Sequence, residues 1–536
     1  MSLISGHFIV FLILTTAVYY LLPVKKYQWV VLLAADLVFY LFSGWQYLAY
    51  ILLTALTSWA AGLRMENQNR AAKAVLREHK ELWSKEEKKA FKAREARKPR
   101  RVLILTLTLN FGILFLLKYA AVLAGAAANR FGFSPVTVRW LMPLGISFYT
   151  FQAMGYVIDV YRGDVEAERN PARFALFVSF FPQLIQGPIS RYEQLAGQLF
   201  SEHRPDFTRF KHACELALWG LFKKLVIANR ALIAISTVQE APFAYSGTTL
   251  GFVLLLYALQ LYADFSGGID IARAAAQILG IDMIQNFRQP YFATSLTDYW
   301  NRWHISLGAW MKDYVFYPIA LSRTANRVTT GLLSRRFGKT RAGKHIATVL
   351  PGTVASLIVF LIVGIWHGAG ARYILYGLWN GGIIMLSILL KPVFEWMNHV
   401  LRVPVQSAEH RVFRILRTFV LVCIGNVTDL AAGGRECFVW LRRILLEQEF
   451  YRGWTEITKN LGLTAADYNV LVLCTGLLFA VGVLRERDPE HSLRGKLDGV
   501  RFVTRFGVIF LGILAVLVLG VYGPGFSTAE FAYMQF

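Results

Sequence analysis

The stretch that decides the fold is residues 346–371, IATVLPGTVASLIVFLIVGIWHGAGA, which contains no Asp, Glu, Lys or Arg. A helix needs about 20 mainly apolar residues to cross a bilayer, so this run predicts a spanning helix. Its ionisable side chain, His367, lies near the carboxyl end, between Trp366 and Gly368. An ionisable group at membrane depth is typical of a functional site, provided that protein or a lumen keeps it out of lipid. His367 is therefore the first candidate functional residue.

The composition of the whole chain is that of a membrane protein. Of its 536 residues, 55% are hydrophobic and 17% are charged, whereas soluble domains average about 25% charged residues. Other charge-free runs are 3–22, 37–63, 140–158, 241–263, 373–390 and 506–529, with shorter ones at 102–117, 174–190, 418–428 and 468–484. We predict an all-α polytopic membrane protein with about eleven transmembrane helices, plus re-entrant or interfacial helices where the runs are short.

The net charge of +23 is concentrated in particular segments of the chain. Residues 64–101 hold 14 Lys and Arg against six Asp and Glu, and residues 322–345 hold seven Lys and Arg and no acid. Cytoplasmic loops concentrate Lys and Arg, so both segments are predicted to lie in the cytosol. Residues 64–101 then form a basic helical insertion near the lipid headgroups. Because the membrane explains this charge, no nucleic-acid partner is predicted.

The same rule predicts where both termini lie. Lys25 and Lys26 place the end of the first span in the cytosol, so the amino terminus is predicted to be extracytoplasmic. Residues 485–505 carry six Lys and Arg, so the last span starts in the cytosol and delivers residues 523–536 outside. We divide the chain into a transmembrane core, residues 1–430, and a C-terminal segment, residues 431–536, with two spans and an extracytoplasmic tail.

A second histidine, His304, stands in the segment Asn301-Arg302-Trp303-His304-Ile305-Ser306-Leu307. Further motifs follow the chain in order: Gly145–Gln152, Phe181–Gln183, Gly187–Arg191, Asp264–Gly267, Asn286–Phe287, Pro290–Tyr291, Tyr317–Pro318 and Trp366–Gly368. Together they resemble the membrane-bound O-acyltransferase superfamily, in its bacterial branch of alginate O-acetyltransferases and teichoic-acid D-alanine transferases. The resemblance covers residues 1–430 and implies a ring of helices around a central tunnel.

Acyl transfer to an alcohol needs a base, and imidazole, with a pKa of about 6.5, suits this task at neutral pH. We predict that His367 is this base, that Gly368 and Gly370 leave room for substrate, and that Trp366 walls an acyl channel. The resemblance marks His304 as a second functional histidine. Its residue context allows three roles: orienting substrate, binding the donor thioester or holding the helices together.

Several other side chains in apolar surroundings are candidates for lining the substrate path, with a structural hydrogen-bonding role as the alternative. They are Asn301, Trp303, Asp313, Trp366, Gln183, Asp264 and Ser266. Asp36, inside the second predicted span, matches no motif, and its burial in apolar surroundings implies only that it has a partner. No metal site is predicted, because the two histidines lie 63 residues apart and have no third ligand at metal-binding spacing.

The sequence closes on Phe531-Ala532-Tyr533-Met534-Gln535-Phe536. This segment resembles the Phe-x-Tyr-x-x-Phe ending of Gram-positive envelope acylation systems, which implies that the tyrosine carries the acyl group to a second, extracytoplasmic transferase. A phenol has a pKa of about 10, below that of an aliphatic alcohol, so a nearby histidine can activate it. Tyr533 is the predicted acyl acceptor, with Phe531 and Phe536 as its motif. An interfacial aromatic anchor is the alternative.

These inferences predict a bacterial plasma-membrane O-acyltransferase that moves a small acyl group, acetyl in the first place, to Tyr533 and then to a cell-envelope polysaccharide. The predicted donor is a cytosolic thioester, either acetyl-CoA or an acylated phosphopantetheinyl carrier protein, and no bound cofactor is expected. The alternatives are D-alanyl transfer to teichoic acid, direct acetylation of the polysaccharide, a lipid or protein acyltransferase, and a transporter or flippase without chemistry. Departures from the alginate pattern leave donor and polymer open. They lie at Ala263, Gly268–Ile269, Pro318–Leu321 and Asn426–Asp429.

Overall fold

The computed structural model describes residues 2–131, 143–328 and 340–522. Within these ranges the chain is helical, and the pairing of extended backbone is limited to an isolated bridge between Phe287 and Trp303. The predicted all-α class is therefore confirmed. The α-helices are Gly6–Leu21, Gln28–Leu41, Leu48–Glu78, Lys85–Glu95, Arg97–Phe131, Ile146–Arg162, Pro171–Ser179, Phe181–Gln186, Tyr192–Leu199, Phe207–Leu221, Asn229–Glu240, Gly247–Ile278, Leu296–Trp300, Ile305–Met311, Tyr317–Ala320, Arg323–Arg327, Arg341–His367, Ala371–Leu389, Lys391–Val400, Ala408–Leu430, Gly434–Leu446, Phe450–Lys459, Ala465–Arg487, Leu493–Asp498 and Phe502–Leu519.

Seven described segments are long and apolar enough to cross a membrane, which confirms a multi-pass membrane protein. They are Trp45–Glu78, Lys85–Ala120, Gly247–Ile278, Arg341–His367, Ala371–Leu389, Ala465–Arg487 and Phe502–Leu519. The predicted count of about eleven, which assumed one span for each apolar run, is not confirmed. One reason is that some runs fold into shorter helices: Gly6–Leu21 has 16 residues, and the run 174–190 contributes to Pro171–Ser179 and Phe181–Gln186.

Contacts between residues divide the chain into two compact units. The first unit contains residues 1–214 and 272–284, and the second contains residues 215–271 and 285–536. The sequence analysis placed a boundary at residue 430, between a transmembrane core and a C-terminal segment. The division into these two units does not test that boundary, which stays a prediction.

In the first unit, the fully buried carboxylate of Asp36 has the hydrogen-bond partners that a buried polar group requires. It accepts hydrogen bonds from the backbone N–H of Phe181 at 2.8 Å and from the hydroxyl of Ser179 at 2.9 Å. These bonds join the helix Gln28–Leu41 to the break between two short helices. A buried polar group without such bonds would destabilise the fold, so Asp36 has a structural role here.

The basic segment 64–101 is helical, as predicted. It contains the end of Leu48–Glu78, the helix Lys85–Glu95 and the start of Arg97–Phe131. Ser84 and Glu87 form a capping box, in which the Glu87 N–H donates to the Ser84 hydroxyl at 3.2 Å and the Ser84 N–H donates to the Glu87 carboxylate at 2.8 Å. The cytosolic position of this segment remains a prediction.

In the second unit, the helix that carries His367 packs closely against its successor, Ala371–Leu389. An added Cβ at Gly364 would lie 2.2 Å from the carbonyl oxygen of Tyr373, and one at Gly377 would lie 2.7 Å from that of Phe360. Only glycine fits at these two crossings, because any side chain would collide with the neighbouring backbone. Such small residues let helix backbones approach closely in membranes. His367 therefore lies at the end of a helix that is packed closely against its neighbour.

The C-terminal part of the second unit stabilises the start of the helix Gly247–Ile278 through a buried carboxylate. Glu456, from the amphipathic helix Phe450–Lys459, is 6% exposed. It accepts hydrogen bonds from the N–H and hydroxyl of Ser246, at 2.9 and 2.8 Å, and from the hydroxyl of Thr249 at 2.6 Å. A negative group at a helix amino terminus is favourable because it satisfies backbone donors and complements the helix dipole.

Replacing Glu456 with glutamine is expected to lower the free energy of unfolding by roughly 1–3 kcal/mol, because a neutral amide weakens these bonds. Burial raises the pKa of Glu456, but hydrogen bonds from Thr249 and Ser246 and from Arg452 outweigh it and hold that pKa below its ordinary value. The stabilisation is thus present above the unfolded-state pKa of about 4.3 and disappears as the pH falls through the folded-state pKa. Thermal melts should show the difference between the two proteins shrinking towards acid pH.

The matched control for this substitution is Glu449→Gln. Glu449 pairs with the same Arg452, at 3.3 Å, but its side chain is 46% exposed. Exposed pairs contribute about 0–1 kcal/mol, so the control should melt close to the wild type. Equal losses in both variants would contradict the role assigned to Glu456.

Candidate active site

The two candidate histidines, far apart in the sequence, line one cavity of the second unit. The volume of this cavity is about 50 Å³. Its lining residues are Tyr257, Leu261, Phe265, Tyr299, Trp300, Trp303, His304, Leu307, His367, Tyr376, Asn380, Val422, Gly425, Asn426 and Asp429. Among the residues that the structure describes, no three His, Cys, Asp or Glu side chains come together in a way that could hold a metal ion.

A second cavity, of about 430 Å³, adjoins the first. Its lining residues are Thr297, Trp300, Asn301, His304, Ile305, Leu307, Gly308, Ala309, Met311, Lys312, Phe316, Ser356, Val359, Phe360, Val363 and Ile384. The two cavities share Trp300, His304 and Leu307. His304 thus stands at their common wall, whereas His367 lines only the first.

The backbone at His304 has an unusual conformation that one asparagine holds in place. His304 has φ 47° and ψ 52°, in the left-handed region that non-glycine residues rarely adopt. The Asn286 carbonyl oxygen accepts from the Ile305 N–H at 3.0 Å, and the Asn286 side-chain Oδ1 accepts from the Ser306 N–H at 2.8 Å. These two bonds fix both the turn and the orientation of the Asn286 amide.

The fixed amide determines which ring nitrogen of neutral His304 carries the proton. Since Asn286 Oδ1 accepts from Ser306, its Nδ2 group is the one that lies 3.1 Å from His304 Nδ1. An amide Nδ2 is only a donor, so Nδ1 of His304 must accept. The proton of the neutral ring is then on Nε2. His304 is therefore set up as an Nε2–H donor.

Aromatic rings and ion pairs surround the His304 segment. Phe265 meets the His304 ring edge to face, with centroids 5.0 Å apart, and Phe287 meets Trp303 in the same way at 4.9 Å. Arg302 pairs with Asp298 at 2.7 Å and with Glu486 at 2.8 Å, which ties the segment to the helix Ala465–Arg487. The packed rings and the ion pairs together restrict the movement of His304.

His367 ends its helix between two aromatic rings, those of Trp366 at 4.9 Å and Tyr376 at 5.2 Å between centroids. Gly368 has a different role from the predicted one, because an added Cβ there would lie 2.4 Å from the Tyr373 ring. The space beside Gly368 is filled by protein, not left for substrate. Gly370 has φ +127°, which favours glycine for conformational reasons. Trp366 is buried, and neither cavity has it among its lining residues.

Asp264 and Ser266 bond to buried lysines that the sequence analysis did not single out. Lys224 and Asp264 form an ion pair, and both side chains are almost fully buried. Lys223 donates to the Ser266 hydroxyl at 2.8 Å and pairs with Asp270 at 2.8 Å. The lysines lie in a π-helical turn, Phe222–Ala228. Neither Asp264 nor Ser266 lines either of these two cavities, and their place on the substrate path stays a prediction.

The remaining candidates lie in different places. Gln183 is in the first unit, where its amide donates to the Pro188 carbonyl at 3.3 Å and to the Ser190 hydroxyl. Trp303 lines the first cavity and Asn301 the second, whereas Asp313 lies in the π-helical turn Lys312–Phe316 and lines neither. Tyr533, Phe531 and Phe536 lie outside the described residues.

The cavity also contains polar residues that sequence reasoning missed. Tyr257, Tyr376, Asn380, Asn426 and Asp429 all line it. Asn426 and Asp429 drew notice in the sequence only as a departure from a pattern. Their positions three residues apart on one apolar helix were the available signal, because such positions share a helix face.

Comparison with known proteins gives matches to one family. The membrane-bound O-acyltransferase (MBOAT) family matches residues 166–334. The probable alginate O-acetylase AlgI of Azotobacter vinelandii is 31% identical over 424 residues, which cover 78% of this chain and 72% of that protein. A peptidoglycan O-acetyltransferase of Helicobacter pylori is 33% identical over 285 residues, 47% of this chain and 48% of the relative. A teichoic acid D-alanyltransferase of Bacillus subtilis is 27% identical over 289 residues, 53% of this chain and 67% of the relative.

Proposed function

Because this chain belongs to the membrane-bound O-acyltransferase family, we propose that it transfers an acetyl group from a cytosolic thioester to a polysaccharide of the bacterial cell envelope. Membership makes the protein an O-acyltransferase. The observation that carries the finer proposal is the cavity that holds both His304 and His367. Acetyl is preferred to D-alanyl because the alginate O-acetylase match is closer and longer than the D-alanyltransferase match.

His367 acts as the general base in this proposal. Its ring takes the proton of the accepting hydroxyl, whose oxygen attacks the carbonyl carbon of the thioester. The C–O bond forms as the C–S bond breaks, and the proton passes from the ring to the departing thiolate. Atoms and charge then balance, and the ring returns to its neutral form. Base assistance of this kind is worth about 10²–10⁴-fold in rate.

His304 supplies a hydrogen bond, not a second base. Its Nδ1 accepts from Asn286, which leaves the Nε2–H to donate. A donor beside the thioester carbonyl stabilises the negative charge that develops on the oxygen during attack. Of the three roles that the residue context allowed, binding the donor thioester is the one that such a hydrogen bond serves.

The second cavity is the proposed entry for the donor. Lys312 and Phe316 line it, and the basic segment 322–345, predicted to be cytosolic, follows them in the chain. A donor entering there meets His304 first and reaches His367 through the shared wall. Acetyl-CoA is the proposed donor, and an acylated phosphopantetheinyl carrier protein is the alternative. We place the enzyme in the plasma membrane with both termini extracytoplasmic.

Tyr533 is the proposed first acceptor, from which an extracytoplasmic partner transferase moves the group to the polysaccharide. The chain before the tail is fixed to the second unit: the Val521 N–H donates to the Leu225 carbonyl at 2.9 Å, and Asn229 Nδ2 donates to the Val521 carbonyl at 3.0 Å. Tyr533 is the twelfth residue after Val521. A fully extended segment of that length reaches about 40 Å. An aryl ester retains transfer potential for the second step.

The donor assignment is tested by supplying radiolabelled thioesters to membranes that contain the protein. We expect acetyl-CoA labelled in its acetyl group to label polymer that sediments with the cell envelope, and membranes without the protein to give none. A D-alanyl carrier protein, offered in parallel, should give no label. Labelling from the D-alanyl carrier alone would contradict the proposed donor and leave the family assignment intact.

A further inference from the structure

The helix Ala408–Leu430 brings an unexplained polar side chain to the wall of the His367 cavity. Gly425, Asn426 and Asp429 all line the cavity from this helix. Asn426 is 7% exposed, and its Nδ2 group has no hydrogen-bond partner among the residues that the structure describes. A buried donor without a partner destabilises a fold, and such groups are rare in native proteins. This donor is therefore a candidate contact for a ligand.

The surroundings of Asn426 define the chemistry of that ligand. The ligand must present an acceptor atom to Nδ2, which excludes an ammonium group as the direct contact. Rings of Tyr257, Tyr299, Trp300 and Tyr376 line the same cavity together with apolar side chains. Other polar groups of the lining already bond within the protein: Asn380 accepts from Trp300 Nε1 at 3.2 Å and donates to the Tyr376 carbonyl at 3.0 Å, and Tyr257 donates to Asp429. A sugar ring would need several polar partners, whereas an aromatic ring with one hydroxyl needs one. The cavity thus suits a phenol.

Asp429, one turn after Asn426, adds a negative charge to the same cavity. Its carboxylate accepts a hydrogen bond from the Tyr257 hydroxyl, and Arg372 lies near enough to interact with it electrostatically. Arg372 itself donates to the Ala431 carbonyl at 2.7 Å and to the Tyr373 hydroxyl at 2.8 Å. A carboxylate in a cavity of low polarity favours a cation there, so it favours the imidazolium that His367 becomes on taking a proton.

We propose that Asn426 is the acceptor-binding residue of the cavity, donating its amide hydrogen bond to the oxygen of a phenolic hydroxyl whose proton His367 takes. This inference rests on the proposed function, because it names the site at which the accepting group is held. It adds a binding residue at a position where the sequence departs from the alginate pattern. It also predicts that the cavity binds an aryl hydroxyl and not a sugar.

The test measures equilibrium binding without a donor thioester, so it does not depend on turnover. The full-length Tyr533→Phe protein is titrated with the hexapeptide Phe-Ala-Tyr-Met-Gln-Phe, which copies residues 531–536, and with its analogue that has phenylalanine in place of tyrosine. We expect the tyrosine peptide to bind about tenfold more tightly, the size of one good hydrogen bond. Asn426→Ala and Asn426→Asp should both reduce that ratio to about one, since neither offers the donor.

Thr428→Val is the matched control on the same helix. The Thr428 hydroxyl donates to the Gly425 carbonyl of its own helix at 2.8 Å, and Thr428 does not line the cavity. This variant should keep the tenfold preference, and thermal melts of all variants check that they are folded. Equal binding of the two peptides to the Tyr533→Phe protein would overturn the proposal, as would a preference that survives both Asn426 variants. An alginate oligosaccharide that binds through Asn426, while the peptide does not, would also overturn it.

The outcome is separable from that of the proposed function. Should the binding preference follow Asn426 while acetyl-CoA supports no transfer, the phenol site stands and the donor assignment fails. Should acetyl-CoA support transfer that depends on His367 while the two peptides bind equally, the donor assignment stands and the phenol site fails.

Discussion

Replacement of His367 with alanine is expected to lower the rate of acyl transfer by at least about 10²-fold, because it removes the proposed general base. The ring is only partly buried, between Trp366 and Tyr376, so its loss leaves most of the helix packing in place. The measurement is the initial rate of acetyl transfer from acetyl-CoA by purified protein, divided by the amount of folded protein in each sample.

His345→Ala is the control for that variant because His345 lies on the same helix. Its Nε2 hydrogen bonds to the Ile388 carbonyl at 2.9 Å, and it lines neither cavity. The control should transfer acetyl at close to the wild-type rate. Full activity in His367→Ala would contradict the assignment of His367 as the general base. A comparable loss in His345→Ala would show that the helix, and not the base, was affected.

Replacement of Tyr533 with phenylalanine is expected to abolish acyl transfer to the chain itself and, with it, delivery to polysaccharide. Phenylalanine keeps the aromatic ring and removes the hydroxyl that would form the ester. During turnover, mass spectrometry of the C-terminal peptide should show the mass of an added acetyl group in the wild type and none in the variant.

Tyr522→Phe is the matched control, since Tyr522 precedes the tail and its hydroxyl donates to the Leu517 carbonyl at 2.7 Å. It should leave both the added mass and the delivery to polysaccharide intact. An unmodified C-terminal peptide in actively transferring wild-type protein would favour direct acetylation of the polysaccharide. Normal delivery by Tyr533→Phe would lead to the same conclusion.

Much of the fold followed from charge and apolar runs. The run 346–371 predicted the His367 helix, and the basic segment 64–101 predicted helices that the structure contains. The number of spans did not follow, because an apolar run has the same composition whether it crosses lipid or packs inside the protein. The helix Ile146–Arg162 illustrates this: it comes from a run that predicted a span, but it has 17 residues and is not among the seven long apolar segments.

The candidate site was predicted in part. His304 and His367 stood out because ionisable groups in apolar segments require an explanation, and the structure places both on one cavity. Asn286 belonged to a motif of the resemblance, but its role was not predicted, because that role depends on a backbone turn 18 residues later. The partner of Asp264, Lys224, did not follow from the sequence, because it is 40 residues away and the pairing appears only in the fold.

The most direct test of the central claim, that His367 transfers acyl groups within a path open to both sides of the membrane, uses sealed proteoliposomes. Vesicles with the cytosolic face outward receive labelled acetyl-CoA outside and contain the tyrosine hexapeptide inside. The account predicts label on the enclosed peptide with the wild-type protein and none with His367→Ala. Label that stays on the side of the donor, or that enters without His367, would contradict it.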